Sequence, residues 1–190
     1  MLHRQNALRT DAAGRKKDLE DEVKDWLPAG AEVKLLQEPD WNTTADNFVA
    51  IFHISTPVAA SAGKRVLLPA HVFQTNKKPM FTAATRVNGI YLYYPSREVD
   101  QISFTLPADL DVENLPQNET ERLERFALYK SEWIQDPKQP KTITVLRDLA
   151  NADYVFPVTD YPTLKDFYDK VKSGDEQQAI LKVNANAAGK

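Results

Sequence analysis

Apolar residues in this chain follow two periods. They recur near every second position from Ala31 to Leu149, and at helical spacing on either side of that span. Side chains alternate across a strand and gather every three or four residues on a helix, so the pattern predicts strands flanked by helices. Asp11 to Leu27 reads as an amphipathic helix. Leu19, Val23, Trp26 and Leu27 share a stripe, while Arg15, Lys16, Lys17, Asp18 and Glu22 lie mostly off it. Glu20 and Lys24 form an i,i+4 pair, Thr10 or Asp11 can cap the start, and Pro28-Ala29-Gly30 stops the helix. Val33 and Leu35 then alternate with Glu32 and Lys34. Asn47 to Thr56 is apolar at nearly every position, which predicts a central strand ended by Pro57. Arg65 to Leu68 predicts a short strand closed by Pro69, and Asn76-Lys77-Lys78-Pro79 a loop.

The stretch Thr85 to Leu106 reads as a hairpin turning at Pro95-Ser96. Tyr91 and Tyr93 lie on one face of its first strand, with Ile90, Leu92 and Tyr94 opposite. In its second strand Ile102, Phe104 and Leu106 share the buried face. Asn118 to Glu124 is charged and reads as a helical turn or loop. Phe126 to Trp133 and Lys141 to Leu149 predict a further pair of strands. The last helix runs from Pro162 to Ser173, with Leu164, Phe167, Tyr168 and Val171 on one face and Gly174 placed as its C′ residue. Gln178 to Lys182 extends that helix or adds a short strand, and Asn184 to Lys190 is expected to fray. The sum is a mainly β chain: an antiparallel β-sandwich of about seven or eight strands with an N-terminal and a C-terminal helix. It divides into a helical segment (1–30), a sandwich domain (31–160) and a terminal helix with its tail (161–190).

Composition narrows the function classes. At 190 residues the chain can bury a sizeable core. A net charge of −3, with bases dispersed among acids, gives no basic patch for nucleic acid. The absence of cysteine excludes disulfides, thiolate metal sites and a cysteine nucleophile. No apolar run is long enough to span a membrane as a helix, and the first 17 residues lack the apolar core of a signal peptide.

Candidate chemistry is sparse. His3, His53 and His71 fall in no metal-binding spacing, and His53 reads as structural. A hydrolase would have to build its site from His71 or His53 and loop carboxylates brought together by the fold. Asp40 and Asp46 flank a Trp41-Asn42-Thr43-Thr44 loop without calcium-loop spacing, which reads as turn chemistry. Asn42 and Asn118 begin glycosylation sequons. Trp41, Tyr91, Tyr93 and Trp133, with Tyr94, are the candidates for an aromatic ligand platform; packing in the core is their alternative role. No catalytic, cofactor-binding or metal-ligating residue is assigned, so no cofactor is expected.

Four segments, RKKDLEDEVKDWLPAGAEVKL, RVLLPAHVF, TRVNGIYLYYPSREVDQISFTLP and FPVTDYPTLKDFYDKVKSGDEQQAIL, are spread from Arg15 to Leu181. In that order they resemble the C-terminal β-rich part of bacterial transglutaminase-like proteins. In those proteins a domain of unknown function precedes a papain-like transglutaminase core. The family's Cys-His-Asp triad has no counterpart here, so no catalytic residue is carried over. The resemblance implies a non-catalytic accessory module in an extracytoplasmic setting. Its partner would be the transglutaminase-like core, in cis or in trans, or an extracytoplasmic protein or glycan. The alternative is a stand-alone carbohydrate-binding module.

Overall fold

The computed structural model describes residues 2–43 and 47–184. Asp46, Thr44 of the first sequon and residues 185–190 of the expected frayed end lie outside the described residues. Two compact units make up the chain: residues 1–58 with 72–76, and residues 59–71 with 77–190.

The first unit holds α1 (Leu2–Ala7), α2 (Ala12–Trp26), β1 (Glu32–Gln37) and β2 (Ile51–Ser55). Asp11 caps α2, its carboxylate accepting from the Gly14 N–H at 2.7 Å. Val23 and Leu27 pack on Val33, with Phe52, Ile54 and Phe73 against them. The helix leans further on the ribbon through Glu20, whose carboxylate accepts from the Leu35 N–H at 2.8 Å. Two expectations change. Trp26 is 42% exposed rather than part of the docking stripe; Leu19, Val23 and Leu27 complete a stripe without it. β2 pairs only with β1 among the described residues, and its Ile51 is 46% exposed. Its apolar run therefore marks one strand of a two-stranded ribbon rather than a central strand.

The second unit holds β3 (Ala60–Ala62), β4 (Arg65–Pro69), β5 (Ile90–Tyr91), β6 (Ser96–Thr105), β7 (Leu110–Asn114), β8 (Glu119–Leu123), β9 (Ala127–Gln135), β10 (Thr142–Asn151), β11 (Val155–Phe156), α3 (Tyr161–Asp175) and β12 (Gln178–Val183). They form sheets of order β6-β10-β9-β8 and β3-β4-β12-β7, and a ribbon β11-β5, all antiparallel. The chain is thus mainly β and antiparallel, with a helix toward each end. Twelve strands occur among the described residues; several are too short to show a period.

α3 docks on the β8 and β9 side of the first sheet. Leu164, Phe167, Tyr168 and Val171 are buried there against Phe81, Tyr129, Leu149 and Phe156. The expected Thr85–Leu106 hairpin does not form. β5 pairs with β11 and β6 with β10, each far along the chain. The chain breaks between them because Tyr93 takes φ +69°, closing a three-residue turn in which the Tyr94 N–H donates to the Leu92 carbonyl at 2.9 Å. Residues 119–123 are a strand, held in the sheet by β9 despite their charge. Residues 178–183 are a strand between β4 and β7. Gly174 lies inside α3, not beyond it. A Cβ there would come within 2.6 Å of the Tyr129 hydroxyl, so close approach of helix and sheet demands the glycine.

Candidate functional site

The register of the larger sheet places four polar residues in one row. Asp100 of β6 lies opposite Arg147 of β10, Arg147 opposite Ser131 of β9, and Ser131 opposite Glu119 of β8. Arg147 and Ser131 are buried. They occupy inward positions in strands that otherwise turn Ile143, Val145 and Leu149, or Ala127, Tyr129 and Trp133, to the core. His71, just past β4, adds to the row: its Nε2 and the Ser131 hydroxyl share a hydrogen bond of 2.9 Å.

The C-terminal end of α3 closes over this row. Asp175 accepts two hydrogen bonds from Arg147, Nε to Oδ1 at 2.7 Å and Nη2 to Oδ2 at 3.0 Å, and a third from the Tyr129 hydroxyl at 3.0 Å. Arg147 also reaches Glu98 at 3.4 Å, and Lys77 pairs with the same carboxylate at 2.8 Å. The Gln177 side chain donates to Glu119. A buried guanidinium is tolerated when paired in this way. Burial would lower the Arg147 pKa, but the hydrogen bonds and charge of Asp175 outweigh it and raise it. Burial, followed by the Asp175 charge, drives the Tyr129 hydroxyl far above its ordinary value. Burial also lowers the His71 pKa, so the ring is neutral near pH 7.

His71 and Ser131 have the residue types of a base and a nucleophile, but not their setting. Ser131 is 0% exposed and His71 2%, so no substrate reaches either. The His71 Nδ1, where an orienting acid would sit, has no hydrogen-bond partner among the described residues. Asp175 is committed to Arg147 and Tyr129. The row acts as a polar brace between sheet and helix. The signal in sequence was the arginine at an inward position of an otherwise alternating strand.

The expected platform residues fall in both units, Trp41 in the first and Tyr91, Tyr93 and Trp133 in the second. Tyr91 and Tyr93 meet at 5.2 Å between ring centroids, inclined 59°, and both are exposed. Tyr154, which sequence reasoning did not select, packs edge-on to Tyr91 at 5.8 Å, and Val155 is exposed opposite Tyr91 across the β5–β11 ribbon. Tyr94 is also exposed. Trp133 is buried and drops out as a ligand contact. Its period-two position facing the core explains why. Trp41 belongs to the first unit, half-buried; the Arg15 guanidinium covers its ring at 5.5 Å and Phe48 stands edge-on at 5.1 Å. In the Trp41 loop the Asp40 carboxylate accepts from the Asn42 and Thr43 N–H groups, the turn chemistry expected of it. His53 is exposed on β2, and His3 stacks on Phe48 at 5.4 Å. No group of three or more metal-binding side chains occurs among the described residues, and no described helix is long and apolar enough to cross a membrane.

Residues 64–181 match the family described as a domain of unknown function with solved structure, DUF3858. The chain belongs to the DUF3858 family. The matched residues take in the whole polar brace of this DUF3858 chain and its tyrosine cluster. Among solved structures, one similar to this DUF3858 chain is the crystal structure of a Parabacteroides distasonis protein provisionally described as a protease. The two are 14% identical with a TM-score of 0.46, over 54% of this chain and 20% of that one. The chain thus spans about a fifth of that protein's length. No curated protein matches.

Proposed function

We propose that this DUF3858 chain is a non-catalytic interaction module of a transglutaminase-like protein, and that it binds through the tyrosine cluster of its second unit. The observation that carries the reading is the backbone at Tyr93. A bulky aromatic residue at positive φ costs about 1–3 kcal/mol, and such strain collects at functional sites. Here it holds a 73% exposed ring beside Tyr91. Tyrosine supplies large contact area at little conformational cost, which suits a binding surface. The burial of His71 and Ser131 supports the non-catalytic reading. The transglutaminase-like parent and the extracytoplasmic setting rest on the resemblance of the four segments.

The ring planes favour a polypeptide partner over a sugar. Tyr93 and Tyr154 are inclined 59° and 70° to Tyr91. The trio therefore offers edges and hydroxyls rather than the flat face on which a pyranose stacks. The test is calorimetric titration of the chain with the purified transglutaminase-like core of the same organism, beside a glycan array. Binding to the core that Tyr91→Ala and Tyr93→Ala abolish, with the fold intact, supports the module. Array binding lost in the same variants, without core binding, replaces it with a carbohydrate-binding module.

A further inference from the structure

His71 is the member of the polar row that the brace leaves incompletely used. Its Nε2 engages Ser131, while Nδ1 is buried without a hydrogen-bond partner among the described residues. It sits where β4 ends, next to the point where the Ala70 N–H donates to the Gln177 carbonyl and α3 hands over to β12. The charged and titratable groups around it come from five elements. They are Tyr129 of β9 beside Ser131, Arg147 of β10, Asp100 and Glu98 of β6, Glu119 of β8, and Asp175 at the end of α3. Asp175 is held by Arg147 and Tyr129, Glu98 by Lys77 and Arg147, and Glu119 by Gln177. A proton on His71 would add a second cation near buried Arg147; Asp175 and Asp100 favour that charge from a distance, but among the described residues neither hydrogen-bonds the ring, and Asp175 is already held by Arg147 and Tyr129. Burying such a charge is costly, and the ring would be driven toward water.

We propose that His71 is an acid-sensitive latch on the joint between β4 and β12. Neutral, it closes the joint through Ser131. Protonated, it leaves Ser131 and frees the end of β4, while the two hydrogen bonds of the Arg147–Asp175 clamp keep α3 in place. The opening is therefore local. Burial depresses the folded-state pKa, so the latch is fully closed above the ordinary value of 6.5 and loosens as pH falls through the lower folded value.

The test follows amide protection factors and the histidine ring spectrum of the whole chain by NMR between pH 7.5 and 5.0. Protection at Ala70, Ala179 and neighbouring β4 and β12 amides should fall below pH 6.5, by up to about tenfold per pH unit. Amides of Phe167 and Tyr168 in α3 should keep theirs, and His71→Gln should remove the dependence. The latch is refuted if protection at the joint holds throughout, whether the His71 ring is neutral or charged. It is equally refuted if protection falls with a pH dependence that His71→Gln retains, or if α3 loosens with the joint. Should His71→Gln fail to fold, the ring spectrum and protection of the unaltered chain still decide the other outcomes.

Discussion

Arg147 and Asp175 meet in a two-pronged ion pair, at 2.7 and 3.0 Å, that ties the middle of β10 to the last residue of α3. Arg147 is 2% exposed and the Asp175 side chain 9%, so neither charge can turn to water if the other is lost. Removing one partner of a buried pair costs about 3–5 kcal/mol, whereas apolar residues in place of both can be neutral. Asp175→Ala should lower stability in a urea melt by that amount. Arg147→Met with Asp175→Leu should recover most of it.

Gly174 precedes that aspartate. Alanine inside a helix is ordinarily favoured over glycine by about 1 kcal/mol. Here its Cβ would lie 2.6 Å from the Tyr129 hydroxyl, 2.8 Å from Tyr129 Cε1 and 2.8 Å from Glu119 Oε2. The crowding reverses the sign. Gly174→Ala should destabilise by about 1–3 kcal/mol on thermal or chemical denaturation, and a gain in stability would show that α3 and β9 can move apart freely.

Phe167 measures how firmly α3 is docked. It is 3% exposed and packs in the cluster that includes Tyr129 and Leu164. Phe167→Ala should cost about 3–5 kcal/mol. A loss below about 1 kcal/mol would mean that the helix contributes little to the core.

Tyr168 sets an alkaline limit. Its hydroxyl donates to the Asn151 side chain at 2.7 Å, and burial pushes its pKa up to about 12 from an ordinary 10.0. A folded-state pKa raised above the unfolded one gives stability that is complete below pH 10 and lost as pH rises toward 12. In urea melts across that range, Tyr168→Phe should show a shallower decline than the unaltered chain. Equal slopes would mean that Tyr168 ionises without opening the fold.

Tyr93 separates stability from binding. Glycine adopts φ +69° without strain, so Tyr93→Gly should leave the fold as stable or gain up to about 1 kcal/mol. The same change should remove partner binding by deleting the exposed ring. A variant that binds as before would place the interface elsewhere.

Much of the architecture was legible in the chain. The 3.6-residue spacing of Leu164, Phe167, Tyr168 and Val171 sufficed for α3 and its buried face; for the start of α2 the chain offered Thr10 or Asp11, and the fold uses Asp11. Period two sufficed for β9 and β10, because one face of each is packed and the other faces outward. Strand partners were not legible. A local reading joins neighbouring runs, whereas β5 found β11 and β6 found β10 through contacts some 40–65 residues away in the chain. The same limit hid Tyr154 from the tyrosine cluster, and the meeting of His71, Ser131, Arg147 and Asp175. Residue type and alternation by themselves determine which side chains turn inward. Which of those inward side chains touch depends on register and on where α3 ends, and only the folded chain sets both.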